Sequence, residues 1–81
     1  MKVKVKFFAA PREALSKSEV EQELPPGATV GVLLERLSRD YPVLRSYIEG
    51  MRVAVNHRYA AGEAQLADGD EIACLPPVGG G

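Results

Sequence analysis

The residues with the clearest chemical potential lie at the end of the chain, from Pro76 to Gly81. These six residues carry no charge. Prolines stiffen the base of such a segment into an extended form, whereas glycines, which lack a Cβ atom, keep its tip narrow. Fully extended, six residues reach roughly 20 Å. The pattern favours a domain that holds the carboxylate of Gly81 on a thin stalk able to enter a channel in another protein; the alternative is a frayed terminus.

Other reactive side chains have simpler explanations. Cys74 shares its parity with Ile72 on a predicted strand, which indicates a buried structural thiol. His57 lies in a polar turn and is expected to be a solvated loop residue. The acidic run at residues 68–71 lacks the ligand number of a calcium loop and is typical of a turn. We therefore expect no metal site and no catalytic constellation in this chain.

Composition points to one small globular domain. The 81 residues are 46% hydrophobic and 26% charged, with a formal net charge of −1. A nucleic-acid binder normally carries a basic face, so none is expected as a partner, and no apolar run approaches the roughly 20 residues of a membrane span. A single cysteine excludes an intramolecular disulfide and favours a reducing cytoplasm. Alternating lysines near the amino end are unlike a signal peptide.

The first half of the chain predicts a hairpin and a helix. Strict alternation from Lys2 to Ala9 predicts a strand with Phe8 on its solvent face, and residues 18–24 predict an antiparallel partner whose glutamates lie opposite the lysines. Thr29 is placed to cap a helix. The apolar stripe of that helix comprises Val30, Leu33, Leu34, Leu37 and Tyr41. A short second helix is predicted from Leu44 to Ile48.

The second half predicts three more strands. They are expected at residues 51–55, 58–60 and 71–75, with the last strand parallel to the first. The result is a compact α+β roll with a mixed sheet, one main helix and one short helix. We expect residues 1–75 to form this domain and residues 76–81 to form the tail.

Large apolar side chains are predicted outside the core near the root of the tail. Phe8 and Leu75 have solvent-facing parity on neighbouring strands, and Tyr59 is a third candidate whose parity is ambiguous. With Arg12 at the rim, these residues predict a partner interface. The alternative is that they are isolated surface hydrophobic residues, which are common.

Five motifs together resemble a known family. They are Phe7-Phe8-Ala9, Arg12-Glu13, Val55-Asn56, Leu66-x-Asp68-Gly69-Asp70-Glu71-Ile72 and Pro76-Pro77-Val78-Gly79-Gly80-Gly81. The whole chain is similar to the small subunits of molybdopterin synthase, the MoaD group of ubiquitin-like sulfur carriers. The ending is the most specific motif, and the second helix favours this group over the shorter thiamine-pathway carriers. Leu75 departs from the pattern, because an aromatic residue can precede the two prolines.

The resemblance implies a β-grasp, ubiquitin-like fold and a role for Gly81. An E1-like adenylyltransferase would use ATP and Mg²⁺ to adenylate Gly81, and a sulfurtransferase would supply the sulfur of a thiocarboxylate. No cofactor would be bound by the chain itself. The residues implied to insert into the large subunit, within a heterotetramer, are Pro76, Pro77, Val78, Gly79 and Gly80. There the thiocarboxylate would deliver sulfur to cyclic pyranopterin monophosphate and form the dithiolene of molybdopterin.

Two alternatives remain open from the sequence. The same carrier chemistry could serve thiamine synthesis, tRNA thiolation or cysteine synthesis, because the acceptor is determined by the partner. In the other, the chain is a ubiquitin-like modifier whose tail is conjugated to lysine or merely docks.

Overall fold

The fold was examined in a computed structural model that describes residues 1–76; residues 77–81 lie outside the described part. Its elements are β1 Lys2–Phe7, α1 Ala9–Leu15, β2 Glu19–Glu23, α2 Val30–Asp40, a 3-10 turn at Pro42–Leu44, α3 Arg45–Ile48, β3 Arg52–Val55, β4 Arg58–Tyr59 and β5 Glu71–Leu75. No helix within residues 1–76 has the length and apolar character needed to cross a membrane.

All five strands form one mixed sheet with the order β2-β1-β5-β3-β4. The central pair, β1 and β5, is parallel, and the other pairs are antiparallel. Leu33 and Leu37 of α2 are fully buried in one core with Val5 and Ile72 of the sheet. The sheet therefore has an inner face covered by α2, and the lysines of β1 lie on its other, outer face. This is the expected α+β β-grasp roll, and the predicted parallel pairing of the first and last strands is confirmed.

The alternation of buried and exposed residues fixes the register of the hairpin formed by β1 and β2. Each lysine of β1 lies opposite a glutamate of β2: Lys2 with Glu23, Lys4 with Glu21 and Lys6 with Glu19. The predicted rows of opposite charge are thus confirmed. The ion pairs are long or diagonal, because Lys4 Nζ lies 3.9 Å from Glu19 and Lys6 Nζ lies 3.3 Å from Glu71 of β5. Exposed pairs of this kind contribute about 0 to 1 kcal/mol each.

Strand β1 is shorter than predicted. It ends at Phe7, and Phe8 becomes the extended N-cap residue of α1. Ala9 then adopts a left-handed conformation with φ of 56°, which turns the chain out of the strand and into the helix. Residues 7–10 are all apolar, so the sequence did not mark where the strand ends, although a turn or helical corner is expected from Ala10 to Leu15.

The remaining elements lie close to their predicted positions. Thr29 caps α2, since its Oγ1 accepts a hydrogen bond from the backbone N–H of Val32 at 3.3 Å. The short second helix is a 3-10 turn followed by α3, and begins at Pro42, which suits a first helical turn because it has no N–H to donate. Strand β4 ends one residue before the predicted end, at Tyr59, whereas β5 has the predicted bounds.

Candidate functional site

Strand β5 leads the chain to the root of the tail. Cys74 lies between its register partners Phe7 and Val53, and Leu75 lies opposite Arg52. Pro76 follows as a half-buried residue and is the last one described. The predicted tail positions Pro77, Val78, Gly79, Gly80 and Gly81 lie outside the described residues, so their roles stay predictions. The division between the domain and the tail is likewise still a prediction.

An apolar patch covers part of the outer face of the sheet beside this root. Ala73 of β5, Ala54 of β3 and Tyr59 of β4 lie in one row across three neighbouring strands. Leu75 lies on the same face, two residues after Ala73. Tyr59 is 66% exposed. Because Tyr59 pairs with Ala54, which pairs with Ala73, the Tyr59 side chain lies on the same face as Leu75. This resolves the parity of Tyr59, which was ambiguous from the sequence.

Phe8 extends this patch at the end of the strands. Phe8 directly follows Phe7, and Leu75 directly follows Cys74, the register partner of Phe7. Because β1 and β5 are parallel, Phe8 and Leu75 lie at the same end of the two strands. The Phe8 side chain is 40% exposed, as expected, and its backbone is still extended although it lies one residue beyond β1. We call Phe8, Ala54, Tyr59, Ala73 and Leu75 the outer patch.

One arginine contacts the outer patch, and the predicted rim position of a second stays a prediction. Arg12 is exposed on α1, the helix that begins directly after Phe8. Arg52 was not singled out from the sequence, and its guanidinium carbon lies 5.5 Å from the centre of the Tyr59 ring. This geometry is a cation–π contact that holds the exposed ring. Arg52 and Ala54 are two residues apart on β3, so they share one face of the sheet. This sequence signal for Arg52 becomes informative only once the outer face is known.

The single cysteine is a structural residue. Cys74 is fully buried in the core. Burial disfavours the thiolate and raises the pKa of Cys74 to about 12. The thiol therefore stays protonated at neutral pH and is a poor nucleophile, which confirms the expectation of a buried structural thiol.

His57 and the acidic run also have structural roles. The His57 side chain is 86% exposed, in the turn between β3 and β4. Asp70 Oδ1 accepts from Asn56 Nδ2 at 2.9 Å, and Asp70 Oδ2 accepts from the Ala67 N–H at 2.8 Å. Asp68 Oδ1 accepts from the Lys2 N–H at 2.7 Å. These carboxylates hold turns together, and residues 1–76 contain no group of three or more such side chains that could hold a metal ion.

Comparison with known proteins assigns the chain to a family. Residues 5–81 match the ThiS family. The molybdopterin synthase sulfur carrier subunit of Mycobacterium tuberculosis is 40% identical over 82 residues, which cover 100% of this chain and 99% of that protein.

Solved structures share the fold. The crystal structure of small archaeal modifier protein 1 from Haloferax volcanii has a TM-score of 0.90, with 31% identity and full coverage of both chains. A chain in the complex of subunits 1 and 2 of the molybdopterin-converting factor from Helicobacter pylori has a TM-score of 0.72, with 24% identity and full coverage of both. The resemblance seen in the motifs is thereby confirmed, and the chain belongs to the ThiS family.

Proposed function

We propose that this protein is the sulfur-carrier small subunit of molybdopterin synthase. The observation that carries the proposal is the 40% identity, over the whole length of both chains, to a relative with that name. The fold is compatible with this role, because β5 leads directly to the glycine-rich end of the chain beside an exposed apolar patch. The expected compartment is the cytoplasm, since the one thiol, Cys74, is buried and unpaired.

The first step prepares the carboxylate of Gly81. A carboxylate is a poor electrophile, so an E1-like adenylyltransferase joins it to AMP, using ATP and Mg²⁺ and releasing pyrophosphate. Sulfur delivered by a sulfurtransferase then displaces AMP and leaves a thiocarboxylate on Gly81. Cys74 is not a competing sulfur carrier, because burial keeps its thiol protonated and shielded.

The second step delivers the sulfur inside a partner. The tail, residues 76–81, inserts into the large subunit, where the thiocarboxylate attacks cyclic pyranopterin monophosphate; two deliveries build the dithiolene. Insertion raises the effective concentration of sulfur at the substrate. Water then hydrolyses the acyl–sulfur bond of the resulting thioester, which leaves the sulfur on the substrate and restores the Gly81 carboxylate. Catalytic acids and bases are expected in the partner. The matching Helicobacter pylori chain belongs to a complex of subunits 1 and 2 of the molybdopterin-converting factor, which supports a large-subunit partner. A heterotetramer is the assembly expected from the resemblance.

The outer patch is the proposed docking surface for that partner. It combines large apolar groups with Arg52 at its edge and with Arg12 at its predicted rim, a composition typical of protein interfaces. Phe8, Tyr59 and Leu75 are its proposed contact residues.

A protein-modifier role is the competing function. It is suggested by the likeness to small archaeal modifier protein 1. It predicts an isopeptide adduct that survives thiols and mild base, which a thiocarboxylate would not produce.

One alanine added after Gly81 tests the proposal. It moves the reactive carboxylate off the terminal glycine, so loading with ATP, a sulfur source and the activating enzyme is expected to yield no thiocarboxylate while the fold stays intact. Gly79→Ala is the matched control, because it adds the same methyl group in the tail but keeps the Gly-Gly ending, and it is expected to load normally. Normal sulfur loading of the extended variant would contradict the proposal.

A further inference from the structure

A small cleft opens where the described chain ends. Its lining residues come from α1, from α3, from the loop before β3 and from the tail's root: Pro11, Ser46, Tyr47, Gly50, Met51 and Pro76. The volume is about 180 Å³. Pockets for small molecules begin near ~300 Å³, so this cleft has room for a side chain and not for a cofactor. We call it the root cleft.

The root cleft and the outer patch lie on different sides of the same strand end. Leu75 is on the outer face, opposite Arg52. Met51 directly precedes β3 and Pro76 directly follows β5. Both residues line the cleft, together with residues of α1 and α3. Pro76, the last described residue, thus lies between two apolar surfaces.

The walls of the root cleft are apolar and its mouth is open. Pro11 is fully buried at its base, whereas Tyr47 and Met51 are half-buried. Ser46 and Gly50 are exposed and small, so they leave the mouth unobstructed. Tyrosine and methionine are enriched in protein interfaces, where their side chains fill irregular contacts.

We propose that the root cleft is a second docking surface for the large subunit and receives an apolar side chain from the rim of the channel that takes the tail. This inference rests on the proposed function. Five residues, 77–81, follow Pro76 and span at most about 17 Å. For Gly81 to reach deep into a channel, the channel's rim must approach Pro76 closely on all sides. The outer patch covers one side only, and the root cleft supplies the other.

The test is the dissociation constant of the full chain for the large subunit, measured by calorimetry. Tyr47→Ala removes a wall of the cleft and is expected to weaken binding ~10-fold. Ser46→Phe fills the cleft from an exposed position without removing any core contact, and the same weakening is expected. Val43→Ala is the matched control, because Val43 is 46% exposed on the preceding turn and does not line the cleft. Its affinity is expected to stay within about twofold of the unmodified chain.

Thermal unfolding of each variant separates lost contact from lost fold. Normal binding by Ser46→Phe would overturn the proposal, even if Tyr47→Ala bound weakly, since a filled cleft could not receive a side chain. Loss of adenylation with unchanged affinity for the large subunit would assign the cleft to the activating enzyme and also overturn it. If the unmodified chain neither binds the large subunit nor accepts sulfur, the proposed function itself fails. If it does both while the cleft variants match it, only this inference fails.

Discussion

At the scale of single residues, the one cysteine, Cys74, is buried and inaccessible to reagents. Cys74 is surrounded by strand neighbours on both sides and by the core beneath it, and its pKa is raised to about 12 by burial. The reactive group of the proposed mechanism, the carboxylate of Gly81, lies instead at the end of a segment with no competing side-chain chemistry. In the proposed mechanism, this separation keeps sulfur on the tail from exchanging onto the domain.

Burial of Cys74 predicts a loss of stability in alkali. The pKa of the thiol is raised from 9.0 to about 12 on folding, so the unfolded chain releases this proton first. The contribution of the thiol to the free energy of unfolding is fully present below pH 9 and is lost as the pH rises from 9 toward 12. Urea unfolding of the unmodified chain and of Cys74→Ala across this range checks the prediction. The unmodified chain is expected to lose stability more steeply; parallel curves would contradict it.

The outer patch predicts a separation of binding from stability. Phe8→Ala or Leu75→Ala is expected to weaken binding to the large subunit by about 1 to 3 kcal/mol with little change in stability. Phe8 is the sharper test, because its side chain is 40% exposed whereas Leu75 is half-buried. Calorimetric binding and thermal unfolding are the two measurements. Unchanged affinity with severe unfolding would show that these side chains serve the core.

At the scale of elements, α2 is tied at its first turn to the loop between β4 and β5 and at its last turn to β2. The N–H groups of Val30 and Gly31 donate to the carbonyls of Ala64 and Gly62, each at 2.9 Å. These bonds satisfy donors that the first turn of a helix leaves free. At the other end, Nε2 of the buried Gln22 donates to Asp40 Oδ2 at 3.2 Å. The helix is thereby fixed across the inner face that carries Cys74.

Removal of the cap oxygen is expected to destabilise the domain modestly. Thr29→Ala deletes the acceptor of the Val32 N–H and is expected to lower the free energy of unfolding by about 1 kcal/mol. Thr29→Ser keeps the oxygen and is the matched control, with a smaller expected loss. Chemical denaturation of the three proteins measures the difference. Equal losses in Ala and Ser would show that the methyl group, and not the hydrogen bond, carries the effect.

Elements bounded by strong local signals were predictable from the sequence, and others were not. Strand β5 was predicted end to end because a turn motif precedes it and two prolines follow it. The end of β1 was wrong because the left-handed φ of Ala9 leaves no trace in an apolar pattern. The face of Tyr59 needed its pairing with Ala54, since a two-residue strand has no periodicity to read.

At the scale of the whole molecule, the outer patch and the root cleft both lie where β5 ends, whereas the opposite end of β5 begins at the acidic turn of residues 68–71. The motifs predicted the family, and strand parity predicted that Phe8 and Leu75 lie on the outer face. Neither predicted the root cleft, because that cleft is built from segments distant in sequence that only the fold brings together.

The most direct test of the central claim is an intact-mass spectrum of the protein purified from its native cell, with fragmentation to locate any change. The account predicts a population in which one oxygen of the Gly81 carboxylate is replaced by sulfur. Its absence, repeated after incubation with ATP, a sulfur source and the activating enzyme, would contradict the sulfur-carrier function and favour the modifier or docking alternative.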